Sequence, residues 1–139
     1  MKPYELLDHT ADAKFRAYGK TLDEAFSNAV TGMIAIIAPP EEIGSDVEKH
    51  IRIEGIKKES LLFDLLDEVL FLYDVEKFLP HKTSLHLTHD LSTGKYVVEG
   101  VMHGEMPTKI SGNLKAITYS EMVIDEKPGN FMIQVVIDI

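Results

Sequence analysis

A chain of 139 residues, 45% hydrophobic and 27% charged, has the size and composition of one globular unit with one core. Its formal net charge of −9 argues against gripping nucleic acid by phosphate neutralisation, which needs a basic surface, and is compatible with an acidic partner surface or a cation site. The absence of cysteine excludes disulfides and thiolate metal sites. No apolar run approaches the ~18–20 residues of a membrane span, and nothing at residues 1–5 has the apolar character of a signal peptide, so the expectation is a cytoplasmic protein without a membrane partner.

Tyr4 to Leu7 is a short strand candidate that runs into a polar knot, Asp8-His9-Thr10-Ala11-Asp12. Residues 13–18 then alternate, with Phe15 and Ala17 on one face and Lys14, Arg16 and Tyr18 on the other, the period of a half-buried strand. Gly19-Lys20 turns the chain, and Thr21 to Glu24 has the form of a capping box. Leu22, Ala25, Phe26, Ala29, Val30, Met33 and Ile37 follow at helical spacing until Pro39-Pro40 stops the run. An acidic loop, Glu41 to Asp46, leads to an alternating strand from Val47 to Ile56. Ser60 is placed to cap a second helix with an apolar stripe through Leu61, Leu62, Leu65, Leu66, Val69, Leu70 and Tyr73; Pro80 marks its exit.

Strands are expected at Thr83–His89 and Lys95–His103, separated by turn residues Asp90 to Gly94. Gly104 to Asn113 reads as irregular, and Lys115 to Ser120 as a strand extending toward Ile124. Asp125 to Asn130 reads as a hairpin loop and Phe131 to Ile139 as the last strand. A βαβα order followed by a β-meander indicates a single α+β domain with two helices packed on a largely antiparallel β-sheet.

Polar residues crowded at the mouth of a strand have few apolar reasons to be there. Asp8, His9 and Asp12 lie within five residues, and Asp138 closes an otherwise apolar strand. If the two ends of the chain meet, Asp8, Asp12, Asp138 and the terminal carboxylate of Ile139 converge on one cation. Such a cluster is tolerable only when a cation offsets its repulsion, and calcium, magnesium and manganese take oxygen ligands. The bland alternative makes Asp8 and Asp12 turn or cap residues, Asp138 a frayed end, and His9 a hydrogen-bonded imidazole that orients the loop. His81, His86, His89 and His103 form a looser set whose spacing does not compel the convergence that zinc requires. Lys115 reads either as an outward surface charge or as a cation reaching for a phosphate or carboxylate. There is no P-loop, dinucleotide-binding glycine motif or Gly-x-Ser-x-Gly elbow.

Leu7-Asp8-His9-Thr10-Ala11-Asp12, followed by Ala17 through Phe26, resembles the opening of the archease family. Leu61 to Leu70 resembles the family's second helix. Gly104-Glu105, Leu114 to Tyr119 and the ending Val136-Ile137-Asp138-Ile139 follow its pattern in order along the whole chain. The resemblance implies a non-enzymatic activator of the tRNA-splicing ligase RtcB, one that promotes ligase guanylylation and multiple turnover and broadens nucleotide use. It places a divalent-cation site, with calcium the expected ion and magnesium or manganese as alternatives, on Asp12, Asp138 and Ile139. It gives the functional lysine as Lys115; Asp8 and His9 then read as holding the turn that aims Asp12, and the acidic charge discourages RNA binding by this chain, leaving RNA to the ligase. The loop from Met106 to Asn113 departs from the family's pattern. The competing readings are a stand-alone metal-dependent phosphoester hydrolase using Asp8, His9, Asp12 and Asp138, and a chaperone-like binder of unfolded chains. The latter needs an exposed apolar patch, which the regular amphipathic patterns disfavour.

Overall fold

The computed structural model describes residues 1–8, 11–108 and 112–139. His9 and part of the Met106–Asn113 loop therefore lie outside the described residues. The elements follow as β1 (Tyr4–Leu7), β2 (Ala13–Gly19), α1 (Leu22–Ala35), β3 (Val47–Gly55), α2 (Lys58–Glu76), β4 (Leu79–Asp90), β5 (Lys95–Glu105), β6 (Ala116–Ile117), β7 (Val123–Lys127) and β8 (Asn130–Asp138). The class is α+β with antiparallel pairing, as the element order implies. The strands divide between two sheets: β1-β2-β8, with β6 and then β7 along the far edge of β8, and β3-β5-β4.

Both helices lay their apolar stripes into one core. Phe26, Met33, Leu62, Leu65 and Leu66 are fully buried there with Phe15, Val98, Met102, Ile133 and Val135. Strand β8 is buried on both faces from Ile133 to Ile137, which is why its sequence reads as a near-continuous apolar run rather than an alternation. Its second face is covered by the excursion between β6 and β7. There the Gln134 amide donates to the Glu121 carbonyl at 2.8 Å and the Thr118 hydroxyl donates to the Val136 carbonyl at 2.8 Å.

Helix α1 starts as its sequence dictates. The Glu24 amide donates to Thr21 Oγ1 at 3.1 Å, and the Glu24 carboxylate accepts from the Lys20 amide at 3.3 Å. Gly19 is required just before it, because a Cβ there would fall 2.4 Å from the Ala25 nitrogen. The same helix guards an open sheet edge. The amides of Leu85 and Leu87 on edge strand β4 donate to Ser27 Oγ at 3.0 Å and Asp23 Oδ1 at 2.8 Å. Two backbone groups that could template pairing with another chain are thereby satisfied, and the second sheet is tied to α1.

Four local expectations are corrected. Ser60 does not cap α2: the helix begins at Lys58, Lys57 occupies the cap position without a side-chain bond, and the Ser60 hydroxyl returns to the Lys57 carbonyl at 3.0 Å. Pro80 does not end that helix. Lys77 does, in the left-handed conformation (φ 60°), with the Phe78 amide closing on the Leu72 carbonyl at 3.0 Å. Pro80 lies inside β4, beside a register shift between Pro80 and Lys82 on this edge strand, where a missing N–H is tolerated. Finally, the expected strand from Lys115 is broken by the excursion at 118–122, and residues 125–127 belong to β7. The hairpin is thus tightened to Pro128-Gly129, with Gly129 at φ 74°.

Candidate functional site

The first sheet ends in a group of oxygen donors assembled by strand pairing. In the β2–β8 ladder Ala13 faces Ile137, so the next step of the register sets Asp12 opposite Asp138. From the other side, β6 pairs Ala116 with Asp138, and the Lys115 amide donates to the Asp138 carbonyl at 2.7 Å. Residues near both ends of the chain and the Lys115 segment therefore meet at one end of one sheet. Asp12 and Asp138 are half-buried, whereas Lys115 and Ile139 are exposed. Asp8 sits exposed at the end of β1, one step past the Leu7–Lys14 pair, on the strand beyond β2 from Asp138.

The turn that delivers Asp12 is conformationally strained. Ala11 adopts φ 64°, a left-handed backbone that a residue with a Cβ adopts at a cost of about 1–2 kcal/mol.

A polar network on the adjoining strand face was not foreseen from the sequence. Lys14, two residues from Asp12, places its ammonium 3.0 Å from Glu121 Oε1 and is only 17% exposed. Arg16 Nε donates to Gln134 Oε1 at 2.9 Å, and Gln134, 7% exposed, holds the Glu121 carbonyl. Glu121 itself has φ 54°. Lys14, Arg16, Gln134 and Glu121 thus form a brace beneath the carboxylates. One signal was available: Gln134 is the single amide inside the apolar run of β8, and a buried amide must find partners.

The donor chemistry is all-oxygen. Asp12, Asp138 and the main-chain oxygens around them, those of Ile139 included, suit a hard cation of the calcium, magnesium or manganese type. Among the described residues no three His, Asp or Glu side chains are gathered for metal binding, so an ion at this tip would draw on main-chain oxygens beside the two aspartates.

The remaining candidate histidines disperse. His86 pairs with Asp23 at 2.9 Å, His81 meets Ser45 Oγ at 3.0 Å, and His89 stacks on Tyr96 with ring centroids 3.9 Å apart. His103 lies with Glu48 and His50 on the outer face of the second sheet.

Comparison with known proteins gives a consistent picture. The archease protein family model matches residues 4–139. The chain is 37% identical to the archease of Pyrococcus furiosus over the full length of both, and 33% identical to that of Methanosarcina mazei over 99% of this chain and 97% of that one. The solution structure of protein 1598 from Methanobacterium thermoautotrophicum superposes over the whole of both chains with a TM-score of 0.80 at 30% identity. The crystal structure of a Thermotoga maritima archease, described as a possible chaperone, shares the fold at a TM-score of 0.58 and 19% identity over 96% of this chain and 94% of that one.

Proposed function

This chain belongs to the archease family, and on that premise we propose that it is a non-catalytic accessory protein that activates an RNA ligase of the RtcB type. In this reading it promotes ligase guanylylation and multiple turnover, broadens the nucleotides the ligase can use, and leaves RNA to the ligase. The observation that supports it is the pairing of β2, β6 and β8, which gathers Asp12, Asp138 and Ile139 beside Lys115 at one tip. A bound divalent cation, calcium in the first instance, would be held by those oxygens and would order the tip by offsetting the repulsion of its carboxylates. Lys115, exposed while its own amide anchors Asp138, is free to offer its ammonium to a phosphate or carboxylate of the partner.

The test is a guanylylation assay on the partner ligase with and without this protein, titrated with calcium and manganese. Asp12→Ala, Asp138→Ala and Lys115→Ala should each reduce stimulation while leaving the circular dichroism spectrum unchanged. Full stimulation by all three would overturn the site assignment. Turnover of a phosphoester by the isolated protein would instead support the hydrolase reading. A tag appended after Ile139 should weaken calcium binding where one before Met1 does not, and indifference to both would remove Ile139 from the site.

A further inference from the structure

Helix α2 buries one stripe and leaves the opposite one uncovered. Leu61, Leu62, Leu65, Leu66, Val69 and Leu70 go into the core. At 3.6 residues per turn, Asp64, Asp67, Phe71, Asp74 and Val75 share one outward arc of about 100°, and all five are exposed. Phe71 and Val75, 50% and 62% exposed, are one turn apart and so adjacent on that surface. The excursion between β6 and β7 builds the edge of the arc. Tyr119 lies there, its ring flat against Phe63 of α2, with 4.4 Å between centroids and 13° between planes, and it is 54% exposed. With one face against Phe63, that exposure falls on the other face and the hydroxyl edge. Partial burial first, and then the Asp64 and Glu59 carboxylates, hold the Tyr119 hydroxyl above its ordinary pKa, so those carboxylates stand near the ring. Glu76 and Glu126, beyond the arc, are held by Lys49 at 2.7 Å and Lys58 at 2.8 Å. Among the described residues no cation comes within pairing distance of Asp64 or Asp67.

We propose that this face of α2, with Tyr119 at its edge, is a docking surface for a basic, arginine-bearing face of the ligase. The inference rests on the activator reading and adds a second contact to the one proposed at the tip. A protein that holds RNA presents a basic surface to do so. This chain carries a net charge of −9, so the two attract before they touch. Arginine is the side chain that the local chemistry fits. Its planar guanidinium lies over an aromatic ring while its N–H groups donate to carboxylates, and Tyr119 offers the ring with Asp64 and Glu59 beside it. Phe63 already holds that ring in place, so little freedom is lost when it is covered. Phe71 and Val75 supply apolar area for the centre of a contact, with Asp64, Asp67 and Asp74 as its charged rim. A second copy of this chain is a poorer occupant, because a two-fold contact would set the same carboxylates against one another. RNA is repelled by the same charge.

The experiment measures the affinity of the partner ligase for the full-length protein by biolayer interferometry at low and high salt. Asp64→Lys combined with Asp67→Lys sets like charges against the partner and should weaken binding at least about tenfold at low salt, with a smaller loss at high salt. Tyr119→Ala should weaken it about 3–30-fold, the loss expected when a cation leaves an aromatic face. Glu41→Lys combined with Glu42→Lys makes the same change in net charge at the exposed turn Pro40–Glu42 and should leave affinity nearly unchanged. Circular dichroism verifies the folding of each variant, and the reversed carboxylates are all exposed. Because the surface docks and the tip activates, the α2 variants should reach wild-type guanylylation at higher concentration, whereas Asp12→Ala should not. Wild-type affinity in both α2-face variants, or an equal loss in the Glu41 and Glu42 control, overturns the docking surface and leaves the activator reading standing. No affinity of the unaltered protein for the ligase overturns both.

Discussion

The two sheets handle charge in opposite ways. At the end of the first, strand pairing sets Asp12 against Asp138, while the cations beside them are engaged elsewhere: Lys14 by Glu121, Arg16 by Gln134. Across the outer face of the second, unlike charges and imidazoles alternate between strands and close on one another: Glu48 with His50 and His103, Arg52 with Glu54 and Glu99. The first arrangement is braced by a buried amide and two left-handed residues, whereas the second is exposed and locally self-satisfied. Two aspartates brought to one strand end by the register, beside a residue in the left-handed backbone region, are the feature of the first sheet that the second lacks.

The brace is where that contrast breaks most sharply. Gln134 is buried and joins Arg16 to the Glu121 carbonyl, so Gln134→Ala removes one hydrogen bond from each and should destabilise the fold by about 1–3 kcal/mol in denaturant titrations. It should also lower ligase stimulation in the folded fraction, because the 118–122 excursion beside the tip loses its anchor. A loss of stability with stimulation intact would separate the brace from the tip. Next in size is the tie between α1 and the second sheet. Ser27→Ala removes the acceptor of the Leu85 amide, a cost of about 1–2 kcal/mol by the same measurement, and should leave stimulation unaffected.

How much of this was legible in the chain depends on range. Helix α1 was, because Thr21, Glu24 and the Leu22–Met33 stripe all act within a few residues of one another, and so was β2, whose alternation reports that Phe15 and Ala17 are covered. Division into two sheets was not, since alternation says a strand is half-buried without naming its neighbour. The Ser60 cap failed for a related reason: the residue type was suitable, but the backbone entered the helix earlier, and Ser60 bonds within the first turn. At the site, Asp12 and Asp138 stood out as polar residues at strand ends, yet only the β2–β8 register puts them side by side. Lys14 and Arg16 read as a wet face because nothing near them in sequence reveals that Glu121 and Gln134 cover it. His50 drew no notice for the same reason, its partners being set by the β3–β5 pairing.

A smaller effect tests whether the Ala11 backbone is strained. At φ 64°, Ala11→Val places a β-branched side chain where even alanine is uncomfortable and should cost about 1–2 kcal/mol. Ala11→Gly relieves the strain but frees the unfolded chain, by about 0.5–1 kcal/mol, so stability should change little. If valine is tolerated as well as glycine, the turn does not hold that conformation in solution, and the delivery of Asp12 opposite Asp138 would have to rest on the strand pairing alone.

The least effect is expected on the second sheet's outer face, and its smallness is the point. Arg52 is 55% exposed and reaches Glu54 at 2.9 Å and Glu99 at 3.6 Å, with both carboxylates also about half-exposed. Water and salt screen such pairs, and holding long side chains in one geometry offsets much of the attraction, so Arg52→Ala should shift stability by less than about 0.5 kcal/mol. The contrast with Lys14 is direct, since that lysine pairs with Glu121 at 3.0 Å with its side chain 17% exposed. Lys14→Ala should cost more than Arg52→Ala in the same denaturant titration, and its effect should survive added salt somewhat better, because the lysine is covered although Glu121 is 47% exposed. Equal losses at the two positions would mean that burial makes no difference to these pairs, and the first sheet's network would then be no more a brace than the exposed charges of the second.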